Sequence, residues 1–127
     1  MKQKRIIMSI SIENFVKAIY LQGQQMGGDT RPGTLAKLLN ISNAATTDMA
    51  RSLSEKNLVN YTKYQELTLT PQGDKLALQV LRKHRLWEAF LSKTLNLSLH
   101  EIHQEAERLE HATSDYLADK IDEYLNY

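Results

Sequence analysis

Apolar residues recur at helical spacing near the start of the chain, over residues 9–25. Positions three and four residues apart lie on one face of an α-helix. Five apolar residues share one stripe in this way: Ile12, Phe15, Val16, Ile19 and Tyr20. Ser11 is the predicted N-cap of this helix, with Ser9 as the alternative. The segment GQQMGGDTRPG then interrupts the pattern with glycine and proline, so it predicts a loop.

Two short helices joined by a tight turn are predicted for residues 34–55. Thr34 is the predicted cap of the first helix. The turn has the sequence NIS, and Ser42 or Asn43 caps the second helix. The apolar positions of the two helices are Leu35, Leu38 and Leu39, then Ala45, Met49 and Leu53.

Apolar and polar residues alternate in the segment LVNYTKYQELTLT, which predicts two short strands around a turn near Lys63–Glu66. Helix, short helix, turn, helix and β-hairpin is the order of a winged helix-turn-helix, in which the helix after the turn enters the major groove of DNA. The DNA-binding candidates are seven residues of that helix, all expected to be exposed, and one on the wing: Ser42, Asn43, Ala44, Thr46, Thr47, Asp48, Arg51 and Lys63. Winged helices also dock proteins, so a metal-independent protein-interaction module is the alternative.

The second half of the chain is predicted to be helical, which makes the fold class mainly α. A long helix starts at Thr70-Pro71, because proline at the first helical position gives up no hydrogen bond. It carries more apolar residues than a lone amphipathic helix needs, so part of its surface should meet another helix or another subunit. Ser98 caps a further helix to about Thr113, and Ser114-Asp115 starts a last one that ends at Leu125.

Charge divides the chain into two parts that the net value of +1 conceals. Residues 1–97 carry a net charge of +7, and residues 98–127 carry a net charge of −6. The basic N-terminal part is suited to binding a polyanion, and the acidic C-terminal part attracts cations. The absence of cysteine excludes disulfides and thiolate metal sites and fits a reducing cytoplasm. No signal peptide or membrane span is expected, because the apolar runs are short.

Histidine and glutamate are concentrated in the segment HEIHQEAERLEHATSD. On a helical wheel, four of its residues fall within an arc of about 100°, next to the apolar stripe. They are His103, Glu107, Glu110 and His111, whereas His100, Glu101 and Glu105 are expected to be ordinary surface. His84 and Glu88 form a second pair on one face of the preceding helix.

Two neighbouring helices that each carry histidine and glutamate on one face could together bind a divalent cation. Imidazole and carboxylate ligands suit Mn²⁺ or Fe²⁺, although Co²⁺, Ni²⁺ and Zn²⁺ also bind such sites. A merely solvated helix face is the alternative interpretation. The chain lacks the common catalytic motifs, including His-Glu-x-x-His, the P-loop and G-x-S-x-G, so we do not expect an enzyme.

Four segments together resemble the iron- and manganese-dependent repressors, the diphtheria-toxin-repressor-like family: SIENFVKAIYL, LAKLLNISNAATTDMARSLSEKNLVNY, LTLTPQGDKLALQVLRKHRLWEAFL and EIHQEAERLEHATSD. The resemblance extends from about Ser11 to the C-terminus. It implies a cytoplasmic, metal-sensing repressor that binds palindromic operator DNA as a homodimer. Residues 1–74 would be the winged-helix DNA-binding domain, and residues 75–127 the helical domain for dimerisation and metal binding.

The same resemblance implies two metal sites. One would be formed by His84, Glu88 and His103. The other would be formed by Glu107, Glu110 and His111 and closed by Asn14 from the first helix.

Three positions distinguish this chain within the resemblance. Glu107 stands where iron-type members carry cysteine, which favours Mn²⁺ with Fe²⁺ next, because a carboxylate is the harder ligand. Asn14 replaces the Asp or Met of the family, and Lys17 stands where compact manganese regulators place a second carboxylate. Many relatives continue into an SH3-like domain, whereas this sequence ends at Tyr127.

Overall fold

A computed structural model describes residues 2–126, with side chains from residue 12 onward. The chain folds into two compact units, Met1–Leu78 and Gln79–Tyr127. The predicted domain boundary between residues 74 and 75 falls inside the helix that also contains this division. No described helix is both long enough and apolar enough to cross a membrane.

The N-terminal unit has the predicted order of elements. Its helices and strands are α1 (Lys2–Gln24), α2 (Pro32–Leu39), α3 (Asn43–Glu55), β1 (Val59–Asn60), β2 (Thr68–Leu69) and the start of α4 (Pro71–Thr94). The two strands pair antiparallel, with Val59 opposite Leu69 and Asn60 opposite Thr68. The prediction that the first helix begins near Ser11 was wrong, because α1 already begins at Lys2.

The ends of α2 and α3 show which polar side chains act as caps. The prediction of Thr34 as a cap was wrong: α2 begins earlier, with Pro32 in its first turn, and the Thr34 hydroxyl donates to Asp29 Oδ2 at 2.8 Å. Asn40 ends α2 in the left-handed conformation, with φ of 55°. Ser42 caps α3, because its hydroxyl accepts the backbone N–H of Ala45 at 3.0 Å.

Apolar side chains from every element of this unit form one core. Its buried members are Phe15, Val16, Ile19, Leu35, Ala50, Leu53, Val59, Leu67 and Ala77. Thr70 fixes the start of α4 against it, since its hydroxyl donates to the Asn57 carbonyl at 2.8 Å and accepts the Gly73 N–H at 3.1 Å. A Cβ at Gly73 would lie 2.0 Å from the Leu58 carbonyl oxygen, so only glycine allows this approach. The core therefore holds α3 and the hairpin in fixed positions.

The C-terminal unit consists of the rest of α4, α5 (Leu99–Leu109) and α6 (Asp115–Leu125). Ser98 forms a capping box with Glu101, and Ser114 caps α6, as predicted. The prediction that the helix after Ser98 reaches about Thr113 was wrong. It ends at Leu109, and the chain then turns, with the Ala112 N–H donating to the Leu109 carbonyl at 3.1 Å.

Packing and ion pairs join α4 to α6. The buried core contains Leu86, Ala118, Ile121 and Leu125, with Trp87, Ala89 and Phe90 packed around it. Arg82 of α4 contacts Asp119 at 2.9 Å and Asp122 at 3.0 Å. Trp87 also donates its indole N–H to the Thr113 hydroxyl at 2.7 Å, which fixes the turn between α5 and α6. The last part of α4 is therefore held in register with the segment that carries the predicted ligands.

Candidate metal centre and DNA-binding surface

His84 and Glu88 lie one turn apart on α4 and contact each other. The His84 Nε2 atom is 3.3 Å from Glu88 Oε1, and the His84 side chain is only 8% exposed. Spacing of four residues places both side chains on one face of the helix. This pair was predicted from the sequence, and the structure buries His84 while the Glu88 side chain stays 39% exposed.

His103 of α5 completes a cluster with this pair. Its Nδ1 atom lies 3.5 Å from Glu88 Oε2, and its ring centroid is 4.9 Å from that of His84. One ligand atom from each of His84, Glu88 and His103 lies within 4.8 Å of the others. We call these three residues the cluster. Two imidazoles and a carboxylate at this separation fit a divalent cation such as Mn²⁺, Fe²⁺ or Zn²⁺.

The remaining predicted ligands of α5 and the following turn extend the cluster at both ends. Glu107 Oε1 lies 3.2 Å from His103 Nε2. Glu110 Oε2 lies 3.0 Å from His84 Nδ1, and Glu110 Oε1 lies 3.4 Å from His111 Nε2. Carboxylates and imidazoles thus alternate without a break in what we call the His/Glu network: Glu107, His103, Glu88, His84, Glu110 and His111.

Exposure differs sharply along the His/Glu network. The side chains of His103 and Glu107 are 55% and 52% exposed, whereas that of Glu110 is 0% exposed. His111 lies in the turn beyond α5. Asn14 is an exposed residue of α1 in the N-terminal unit, and its role as a ligand stays a prediction.

The three residues that the sequence analysis predicted to be ordinary surface take no part in the His/Glu network. His100 and Glu101 are exposed, and Glu105 is half-buried and pairs with Arg108 at 2.6 Å. Glu101 accepts the backbone N–H of Ser98 at 2.9 Å, which lowers the pKa of that carboxyl. Its role is to cap the helix that presents the ligands.

The predicted DNA-binding residues lie mostly on the exposed side of α3. Thr47 is half-buried, and six of the eight are exposed: Ser42, Asn43, Ala44, Asp48, Arg51 and, on the hairpin, Lys63. The expectation that Thr46 is exposed was wrong. Thr46 has 0% exposure, and its hydroxyl donates to the Ser42 carbonyl at 2.9 Å. Thr46 therefore supports the start of α3 from inside.

A groove of about 740 Å³ lies beside this end of α3. Asn43 and Thr47 line one side of it, and Lys63 lines it from the hairpin, next to Tyr64. Arg31 and Lys37 also line the groove, although the sequence did not identify them as DNA-binding candidates. Three cationic side chains against the one carboxylate of Asp29 leave this groove with an excess of positive charge, which suits a polyanion.

Comparison with known proteins assigns a family to both parts of the chain. Residues 8–67 match the N-terminal DNA-binding domain of iron-dependent repressors. Residues 70–127 match the metal-binding and dimerisation domain of the same repressors. The chain belongs to the iron-dependent repressor family. This match confirms the predicted resemblance and the predicted fold class. It also confirms the prediction that the chain is a metal-dependent transcriptional repressor and not an enzyme.

Individual proteins similar to this chain agree with this assignment. An HTH-type transcriptional regulator of Methanocaldococcus jannaschii is 39% identical to this chain, over 90% of this chain and 91% of the length of the regulator. The diphtheria toxin repressor of Corynebacterium glutamicum is 31% identical over 90% of this chain and 50% of its own. A solved manganese-dependent transcriptional repressor in complex with manganese is 34% identical, with a TM-score of 0.82, over 91% of this chain and 52% of that one. This chain spans about half the length of that repressor and of a solved manganese regulator, SloR.

Proposed function

We propose that this protein is a cytoplasmic repressor that binds palindromic operator DNA as a homodimer when a divalent cation occupies the cluster. Mn²⁺ is the favoured corepressor and Fe²⁺ is next. The observation that carries the proposal is the convergence of His84, Glu88 and His103 within 4.8 Å, in a chain that also contains a winged helix. Imidazole and carboxylate without thiolate suit these two cations.

The cluster supplies three of the proposed ligands. Glu107 lies against His103 and provides a further carboxylate near it. Glu110, His111 and Asn14 are the other proposed ligands, as the resemblance implies. A bound divalent cation supplies positive charge that compensates the carboxylates gathered on α4 and α5. Residues of both helices would hold the cation, so its binding would strengthen the packing of α5 on α4.

The proposed DNA contacts are made by the exposed start of α3 and by the hairpin. Ser42, Asn43 and Thr47 can reach base edges or phosphates with short polar side chains, and Arg51 and Lys63 suit phosphates. Ala44 and Asp48 remain in the proposed surface, because both are exposed on the same helix. Thr46 is withdrawn from it, since its hydroxyl is buried against Ser42.

Metal and DNA binding are proposed to be linked through the dimer. A dimer contacts two half-sites together only if the spacing of its two α3 helices matches the helical repeat of the duplex. A cation that binds this arrangement more tightly than others increases its population. A coupling free energy of about 1–3 kcal/mol would change operator affinity about 5–150-fold.

A titration with a labelled palindromic duplex tests the proposal. We expect fluorescence anisotropy to show operator binding that strengthens with added Mn²⁺, or with Fe²⁺ under anaerobic conditions. His84→Ala should remove the response to metal and leave weak, salt-sensitive DNA binding. Binding of equal strength with and without metal would instead support the metal-independent interaction module.

A further inference from the structure

Glu110 has the lowest exposure of the acidic and basic residues whose side chains the structure describes. Its relative exposure is 1%, compared with 7% for His84, and the side chain of His111 is 7% exposed. A carboxylate removed from water is destabilising unless charged or hydrogen-bonding groups compensate it. The position of its two oxygen atoms therefore indicates what Glu110 does.

The two oxygens of Glu110 contact two different histidines. Oε2 lies 3.0 Å from Nδ1 of His84, and Oε1 lies 3.4 Å from Nε2 of His111. The other ring nitrogen of His84, Nε2, lies 3.3 Å from Glu88 Oε1 inside the cluster. Glu110 thus contacts the nitrogen of His84 that does not face Glu88.

We propose that Glu110 is a positioning residue that acts through His84 on the cluster. A neutral imidazole binds a metal through one nitrogen while the other carries the proton, and the partner of the second nitrogen decides which is which. A carboxylate at Nδ1 accepts the proton there, which leaves the lone pair of Nε2 directed at Glu88 and His103. It also fixes the ring orientation, because both residues are buried and a hydrogen bond in a low-dielectric interior is strong.

This role is additional to the direct ligation that the family resemblance implies for Glu110. The proposal concerns Oε2, whereas ligation together with His111 would use Oε1, so the two roles are separable by experiment. The inference rests on the proposed function to the extent that the cluster must bind a divalent cation.

Metal titration of three variants tests the inference. Mn²⁺ is added to the metal-free protein, and the free ion is followed by its electron paramagnetic resonance signal. Loss of an outer partner of a metal-binding histidine weakens affinity about 10–100-fold, and we expect this for Glu110→Ala at the cluster. Glu110→Gln should weaken it less, because the amide oxygen still accepts the Nδ1 proton. Glu105→Gln, a partly exposed carboxylate of α5, is the matched control and should bind Mn²⁺ like the wild type.

Histidine NMR of the Zn²⁺-loaded protein gives a second readout that a purely structural role would not change. In the wild type, ¹⁵N shifts of His84 should show a single state with Nε2 bound and Nδ1 protonated. Glu110→Ala should give a mixture of Nδ1 and Nε2 binding, with partial recovery in Glu110→Gln. If Glu110→Ala does not fold, as judged by circular dichroism, the isosteric Glu110→Gln variant decides alone.

The possible outcomes separate this inference from the proposed function. If the wild type binds no Mn²⁺, the proposed function fails. If Glu110→Ala loses one equivalent of Mn²⁺ but the cluster keeps its affinity and its Nε2 binding, Glu110 is only a direct ligand and the inference is overturned. Unchanged affinity in a folded Glu110→Gln variant with unchanged His84 shifts would also overturn it.

Discussion

Asp29 holds the guanidinium of Arg31 through two parallel contacts, with Nε 3.0 Å from Oδ1 and Nη2 3.0 Å from Oδ2. The Arg31 side chain lowers the pKa of Asp29 well below its usual range, and Asp29 raises the pKa of Arg31. Because such a fork is rigid, Arg31 is pre-organised where it lines the groove beside Asn43 and Thr47.

Arg31→Ala should weaken operator binding through the loss of one phosphate contact. We expect the slope of log affinity against log salt concentration to decrease in magnitude by about one, for all DNA sequences alike. Anisotropy titrations at several salt concentrations measure this slope. Arg108→Ala removes an exposed arginine of α5 and serves as the control. An unchanged slope in Arg31→Ala would show that Arg31 does not contact the DNA.

Thr46 and Thr47 should respond differently to substitution although they are neighbours. Thr46→Val removes a buried hydrogen bond to the Ser42 carbonyl, so the free energy of unfolding should fall by about 0.5–1.5 kcal/mol while operator affinity changes little. Thr47→Ala should weaken operator binding with little loss of stability. Urea unfolding and anisotropy on both variants make the comparison. A large loss of affinity in a well-folded Thr46→Val variant would contradict the assignment.

His103→Ala and His100→Ala compare two histidines of the same helix. His103 belongs to the cluster, whereas His100 is an exposed residue in the first turn of α5. We expect His103→Ala to weaken Mn²⁺ binding at least about tenfold, since it removes one of three converging ligands. His100→Ala should leave the titration unchanged. Equal effects of the two variants would mean that the cluster is not the metal site.

Glu101 should contribute to stability in a pH-dependent way in the chelator-treated, metal-free protein. Its hydrogen bond from the Ser98 backbone N–H lowers its folded-state pKa. The contribution is therefore present above the unfolded-state value of about 4.3 and is lost as pH falls through the folded-state pKa. Glu101→Gln should have a lower Tm than the wild type at pH 7, and the difference should shrink below about pH 4. A difference in Tm that grows on acidification would contradict this cause.

Local signals in the sequence predicted the positions where a side chain caps its own helix. Ser42, Ser98 and Ser114 all act as predicted, because capping depends only on residues three positions away. The same logic failed at Thr34, since Pro32 starts α2 earlier and Asp29 binds the threonine hydroxyl instead. The expectation that Thr46 is exposed failed because a threonine hydroxyl can also donate its hydrogen bond to a carbonyl one turn back in the helix.

Contacts between helices could be predicted only where the spacing of residues shows which side chains lie on the same face of a helix. The spacing of His84 and Glu88 placed them together, and the concentration of His and Glu in the next helix identified His103. The contact between His84 and Glu110 was not predictable in this way. It joins residues 26 positions apart and depends on how far α5 is shifted along α4. The hydrogen bond from Trp87 to Thr113, which no local pattern encodes, helps to fix that shift.

The His/Glu network contains no sulfur ligand, and the chain has no cysteine. Peroxide oxidises thiolate ligands to sulfenic acid and then to higher sulfur oxidation states. Imidazole and carboxylate do not undergo an equivalent series of oxidation steps. Peroxide therefore finds no thiolate ligand to oxidise in this network. Peroxide would instead react at the bound cation, so the choice between Mn²⁺ and Fe²⁺ is also a choice of sensitivity to oxidants.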